Sequence, residues 1–211
     1  MDKKIAFLGT PDFATPILKS IHEHGYKISC VFSQPPKKSK RGHKINKSPI
    51  HLLSEQLGIN IKTPNKIEEE FEYLKSLNLD LAIVVAYGQI LSKDILKLSR
   101  NGFINIHASL LPKWRGAAPI QRSLINMDKI TGISIMKINQ NLDEGPVCNK
   151  YPLEILENEN AKNLSDRLSK LSAEKILENI DKIFNKKVNF EEQDNSAASY
   201  AKKIQKKEGK I

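Results

Sequence analysis

The segment that most restricts the fold is DLAIVVAYG, residues 80–88. Its apolar side chains fill consecutive positions, so an extended chain here leaves neither face for water. Such a strand must be covered on both sides, as a central strand is in a parallel sheet. What flanks it agrees. KKIAFLG (3–9) is a short apolar run, and DFATPILKSIHEHG places Phe13, Ile17 and Ile21 at helical spacing before Gly25. YKISCVF (26–32) reads as a strand again. Strand, helix, strand opens an α/β domain, so the expected fold is a Rossmann-like, mostly parallel sheet with helices on both faces.

The rest of the chain continues the alternation. SPIHLLSEQLG reads as a helix with Ser48 as N-cap, Pro49 at its first position and Gly58 past its end. INIKT is a short strand, NKIEEEFEYLKSLN a helix capped by Asn65, and 92–98 a short helix. GFINIH is the next strand and AAPIQRSLIN the next helix. TGISIMKI (131–138) and GPVCNKYPLEI (145–155) are two more strands, with Pro152 placing the second near an edge. NLSDRLSKLSAEKILENIDKIF is a long helix with Leu164, Leu168, Leu171, Ile176, Ile180 and Ile183 on one broad face. From about 186 the pattern fades into a linker holding one short strand and helix.

Charge is concentrated. Of the net +10, residues 37–47 (KKSKRGHKINK) carry six units and residues 201–211 carry four, which leaves the remaining body neutral. Basic loops attract polyanions through counterion release, although a solvated loop and a frayed tail look the same in sequence. Cys30 and Cys148 have no metal-ligand spacing, so a zinc site and a disulfide framework are not expected, and a reducing cytoplasm is. No apolar run approaches the roughly 18 residues of a membrane span, and the opening apolar stretch is too short for a signal peptide.

Open α/β sheets bind ligands beyond the carboxyl ends of their strands. Four segments fall there: GTPDF (9–13), AYGQI (86–90), HASLLP (107–112) and NLDEG (141–145). The first lacks the glycine patterns of dinucleotide and phosphate loops and reads as a tight turn capped by Thr10 or Asp12. Asn105 and His107 lie two apart on a strand, so period two aims both at one face, with Ile104 and Ile106 on the other. A single buried histidine is commonly a satisfied core residue. Paired with an asparagine at a strand end, it supplies two hydrogen-bond donors for one oxyanion, or a base that titrates near neutrality. Asp143 follows the next strand and is placed to orient the imidazole. No serine or cysteine is evidently paired with His107 as a nucleophile; Ser109 is available in principle but lies on the loop without a nucleophile-elbow pattern, which favours direct transfer to an external nucleophile.

Here the sequence resembles a known family. NIHASLLPKWRGAAPIQRSL is similar to the signature of folate-dependent formyltransferases, and GISIMKINQNLDEGPV to the family's second signature. FLGTPDFA and VVAYGQIL match as well, and the resemblance covers essentially the whole chain. RGAAPIQRSL and the basic insertion resemble the branch that formylates the methionine on initiator tRNA.

The resemblance implies 10-formyltetrahydrofolate as formyl donor, initiator methionyl-tRNA as acceptor, no metal, no membrane partner and a monomer. It implies Asn105, His107 and Asp143 as the catalytic residues. It implies folate contacts at Ser109, Leu110, Leu111 and Pro112, and a pterin pocket lined by Tyr87, Gly88 and Asn141. It implies tRNA contacts at Lys37, Lys38, Lys40, Arg41, Lys44 and Lys47. The implied organisation is a catalytic domain over 1–188 with a basic insertion at 34–48 and a linker at 189–211. The family's second, β-barrel-like domain of roughly 100 residues is absent from this sequence, which implies weak tRNA binding by the chain alone. Glu144 stands where the family commonly has threonine, and Pro36 and Lys40 also depart from its pattern. The same chemistry serves two other acceptors, amino-sugar nucleotides and glycinamide ribonucleotide. A non-catalytic folate- or RNA-binding module is the reading from a different class.

Overall fold

The structure, a computed structural model, describes residues 3–38, 45–205 and 208. Strand β1 (Lys4–Gly9) leads through a 3-10 turn (Asp12–Ala14) into helix α1 (Thr15–Glu23), and β2 (Lys27–Phe32) follows. A two-residue ribbon pairs β3 (Lys37–Lys38) antiparallel with β4 (Ile45–Asn46). Then come α2 (Pro49–Gln56), β5 (Ile61–Lys62), α3 (Phe71–Ser76), β6 (Leu81–Val85), α4 (Lys93–Leu96), β7 (Phe103–His107) and α5 (Pro119–Ile125). Strands β8 (Ile130–Lys137) and β9 (Val147–Glu154) precede the long α6 (Ala161–Phe184).

The main sheet has the order β5-β2-β1-β6-β7-β8-β9. Its first five strands run parallel, and β8 and β9 add antiparallel. The chain order reverses between β1 and β6, which is where such sheets open a crevice at their carboxyl ends. Every residue of β6 is buried, as its unbroken apolar run requires. Alternate side chains serve two cores. Ile5, Phe7, Ile83, Ile104 and Ile106 pack with α1 and α6 on one face. Ala6, Leu8, Ala82, Val84 and Phe103 pack with Ile67, Leu74 and Ile95 on the other. β9 is an edge strand, as Pro152 indicated.

Two local expectations are corrected. Asn65 does not cap a helix: Lys66 is extended, and the segment starts as a 3-10 turn at Ile67–Glu70. Gln89 takes the capping role from across the fold, accepting from Ile67 N at 2.8 Å and donating to the Pro64 carbonyl at 3.0 Å. Neither Thr10 nor Asp12 caps the turn after β1, whose N-cap, Pro11, has no side-chain bond. Ser48 does cap α2, accepting from His51 N.

Residues beyond α6 are tied to the body. Glu191 bridges Val147 on the edge of β9, a 3-10 turn covers Asn195–Ala197, and Tyr200 bridges Arg115. Arg115 N donates to the Ser199 carbonyl and Ala201 N to the Arg115 carbonyl, at 2.8 and 2.7 Å. Among the described residues no helix is long and apolar enough to cross a membrane.

Candidate active site

β7 carries Phe103, Asn105 and His107 on one face, continuing the row that buries Phe103. Beyond Phe103 the helical cover ends and a cavity of about 780 Å³ begins. Asn105, His107 and Asp143 share its wall with Val84, Met136 and Ile138. β8 runs antiparallel to β7, so its end at Lys137 lies opposite Ile104, and the following loop turns back over Asn105 and His107. That return brings Asp143 to the pair. Its Oδ1 lies 3.4 Å from Asn105 Nδ2, and its Oδ2 lies 3.6 Å from His107 Nδ1. Gly116 N donates to the same Oδ2 at 2.8 Å.

The loop needs a glycine after it. A Cβ on Gly145 would run into the Lys137 carbonyl, so only a bare backbone lets the chain pass this close to β8. Asp143 itself has φ +52° and Trp114 φ +63°. Two non-glycine residues in this sparsely allowed region, both touching His107, mark a site where the surroundings dictate the backbone.

His107 is 6% exposed and both ring nitrogens have a neighbour. Nε2 lies 2.8 Å from the Trp114 carbonyl, and Nδ1 faces Asp143. A carbonyl only accepts, so Nε2 carries the hydrogen and the neutral ring keeps its lone pair on Nδ1. The histidine is thus both partnered and on a cavity wall.

The other expected residues divide. Tyr87, Gly88 and Asn141 line the cavity. Thr10 Oγ1 and Gln34 Nε2 both donate to the Tyr87 carbonyl, at 2.9 and 3.2 Å, and fix that rim. The Tyr87 hydroxyl is buried without a hydrogen-bond partner among the described residues, and burial, then Glu68 and Glu70, push its phenol up, so it stays protonated. Ser109 and Leu111 are buried beneath the loop instead. Ser109 Oγ donates to the Lys113 carbonyl, and Ser134 Oγ links the Ser109 carbonyl to Leu111 N. Ser109, Leu110, Leu111 and Pro112 are not among the cavity's lining residues. Lys37 is exposed on β3, and Lys47 pairs with Glu55 at 2.5 Å. Lys40, Arg41 and Lys44 lie outside the described residues.

Sequence reasoning missed several residues that build the site. Arg115 is 1% exposed and faces Glu144 at 3.3 Å. It also donates to Gln193 Oε1 and Asn195 Oδ1. Trp114 Nε1 donates to Asp128 at 2.7 Å. A buried arginine needs an acceptor set, and a Trp-Arg pair just past the end of a buried strand is the one local signal that was available.

Residues 3–180 match the formyl transferase family. The chain is 59% identical to a methionyl-tRNA formyltransferase of Pelagibacter ubique over 214 residues, covering 100% of this chain and 69% of that one. It is 44% identical to a methionyl-tRNA formyltransferase of Phenylobacterium zucineum, covering 99% of this chain and 68% of the relative. The crystal structure of an N-formyltransferase from Helicobacter canadensis, in complex with folinic acid and dTDP-3-aminofucose, superposes with a TM-score of 0.73. It covers 94% of this chain and 70% of that one at 22% identity, a likeness of fold.

Proposed function

The chain belongs to the formyl transferase family, and we propose that it moves the formyl group of 10-formyltetrahydrofolate to the α-amino group of initiator methionyl-tRNA. The observation that carries this reading is the meeting of Asn105, His107 and Asp143 on one cavity wall, reached from strand β7 and from the loop after β8. The cavity fits a folate head. Its volume is that of a small-molecule site, its walls are mainly apolar, and Tyr87, Gly88 and Asn141 are among its lining residues. 10-Formyltetrahydrofolate supplies a formyl group held on nitrogen.

Each residue has a task in the transfer. An α-amino group titrates near pH 8, so a useful share is already neutral and nucleophilic. As it attacks the formyl carbon, charge builds on the formyl oxygen, and the Asn105 amide is the donor free to meet it. Asn105 spends that amide on only a long contact to Asp143. His107 was also expected as an oxyanion donor from strand parity. Its N–H is taken by Trp114, so its part is at Nδ1, which accepts the proton the amine sheds. Asp143 faces that nitrogen and stabilises the charge it gains. The same proton then returns to the folate nitrogen as its bond to the formyl carbon breaks.

The basic insertion meets the tRNA acceptor end, and the reaction takes place in the cytoplasm, where initiator tRNA is charged. The acceptor is tested by offering methionyl-tRNA, glycinamide ribonucleotide and an amino-sugar nucleotide side by side, with 10-formyltetrahydrofolate as donor. Formyl-methionyl-tRNA is the expected product. Transfer to a small acceptor alone overturns the reading, and folate binding without any turnover points to a binding module.

A further inference from the structure

We propose that Gln193 is a positioning residue for Asp143, acting from the segment beyond α6. The inference rests on the assignment of Asp143 to the reaction. Gln193 Nε2 donates to the Asp143 carbonyl at 2.8 Å and to the Gly145 carbonyl at 2.7 Å. Its Oε1 accepts from Arg115 Nε at 3.1 Å and from Arg115 Nη2 at 2.9 Å. A primary amide has two donor hydrogens and two acceptor lone pairs, and this one uses all four.

The placement of those four bonds matters more than their number. Asp143 sits in the left-handed region, uncommon for a residue other than glycine. Gln193 grips the loop on both sides of Glu144 and ties it to Arg115. Arg115 is next to Gly116, whose N–H holds Asp143 Oδ2, and next to Trp114, whose carbonyl holds His107. One side chain therefore fixes the distance between the two loops that deliver Asp143 and orient His107. It bonds the Asp143 backbone rather than any side chain of the site, and it is not itself among the residues lining the cavity, so it acts by placing the loops.

Only an amide does this. Methionine keeps the length and loses all four bonds, while Arg115 retains Glu144 and Asn195. Glutamate keeps the acceptors for Arg115 but turns a carboxylate oxygen toward two backbone carbonyls.

The test uses the whole chain with Gln193→Met, Gln193→Glu, Asp143→Asn and the double variant Asp143→Asn/Gln193→Met. Steady-state formylation of methionyl-tRNA and folate binding by fluorescence are measured on each. The expected result for Gln193→Met is a kcat lowered by about 10- to 100-fold, the cost of a misplaced catalytic group, with folate affinity within about threefold. On the Asp143→Asn background the same change should cost less than about threefold, because both act on one unit. A kcat within twofold of the parent, or a loss that adds fully to that of Asp143→Asn, overturns the proposal. If Gln193→Met does not fold, Gln193→Glu decides by the same two criteria. An Asp143→Asn variant with parental kcat overturns the site reading itself, and the Gln193 proposal with it. Those outcomes are separable because the first leaves Asp143→Asn slow.

Discussion

The Trp114 carbonyl accepts the Nε2 hydrogen of His107 at 2.8 Å, and Trp114 adopts a φ of +63° to present it. A bulky residue in that region is strained by about 1–3 kcal/mol, so something must hold it there. Two anchors do. Asp128 accepts from the indole Nε1 at 2.7 Å, and Ser199 Oγ accepts from Trp114 N at 3.0 Å. The carbonyl then fixes the histidine's tautomer and leaves Nδ1 turned toward Asp143. Side chains outside the cavity lining thus decide which ring nitrogen faces Asp143.

The proposed division of labour between Asn105 and His107 predicts distinct losses. Asn105→Ala removes the oxyanion donor and should lower kcat by about 10²–10³-fold, with folate binding little changed. His107→Ala should lower the rate by about 10²-fold or more, in the range of a general base. Replacing the acceptor with hydroxylamine, a stronger nucleophile at neutral pH, should narrow the His107→Ala defect but not that of Asn105→Ala. Equal defects with both acceptors would sink this assignment of roles.

Asp128 predicts a pH dependence of stability. Burial raises its carboxyl, but hydrogen bonds from Lys113, Trp114 and Asn126 outweigh that, and the net shift is downward. A carboxyl held below its unfolded value, about 3.9, stabilises the fold fully above that value. The contribution is lost as pH falls toward the folded pKa. Asp128→Asn should lower stability near neutrality by about 1–2 kcal/mol and flatten the fall in Tm between roughly pH 5 and 3. A Tm–pH curve parallel to that of the parent would rule this out.

Gly145 predicts a steric effect. In Gly145→Ala the new methyl meets the Lys137 carbonyl, a backbone atom within the sheet that cannot move aside cheaply. The loop must lift, and it carries Asp143. A loss of about 2–3 kcal/mol in stability is expected, in the upper range of overpacking, together with a kcat loss greater than the unfolded fraction explains. Urea unfolding and activity of the folded fraction check both parts, and parental values in either would refute it.

The order of strands and helices was legible because burial imposes period: the run at Leu81–Val85 is wholly buried, and the parity of Phe103–His107 holds. The caps were legible only where the bond is local. Ser48 reaches His51 three residues on, whereas the turn at Ile67 is capped by Gln89, and no local pattern announces a partner that far along the chain. Gln193 was invisible for the same reason, its partners Asp143 and Gly145 lying 50 and 48 residues away. Ser109 and Leu111 show another limit. The sequence marks a loop at a strand's end, but not which of its side chains turn under the loop and which face the ligand.

The basic insertion separates two lysines that the sequence treats alike. Lys37 is exposed, while Lys47 spends its charge on Glu55, whose carboxyl is held below the usual range by that hydrogen bond. A lysine already paired releases less counterion when it meets a phosphate. Lys37→Ala should therefore raise KM for methionyl-tRNA several-fold and reduce the slope of log affinity against log salt by about 1, without altering folate binding. Lys47→Ala should change that slope by less, and part of any loss should return when Glu55 is also replaced, because the freed carboxylate repels RNA. Measuring KM for tRNA between 50 and 200 mM salt, roughly the range over which phosphate contacts weaken most, distinguishes the two. Equal slopes for Lys37→Ala and Lys47→Ala would show that the Glu55 pair does not persist against RNA.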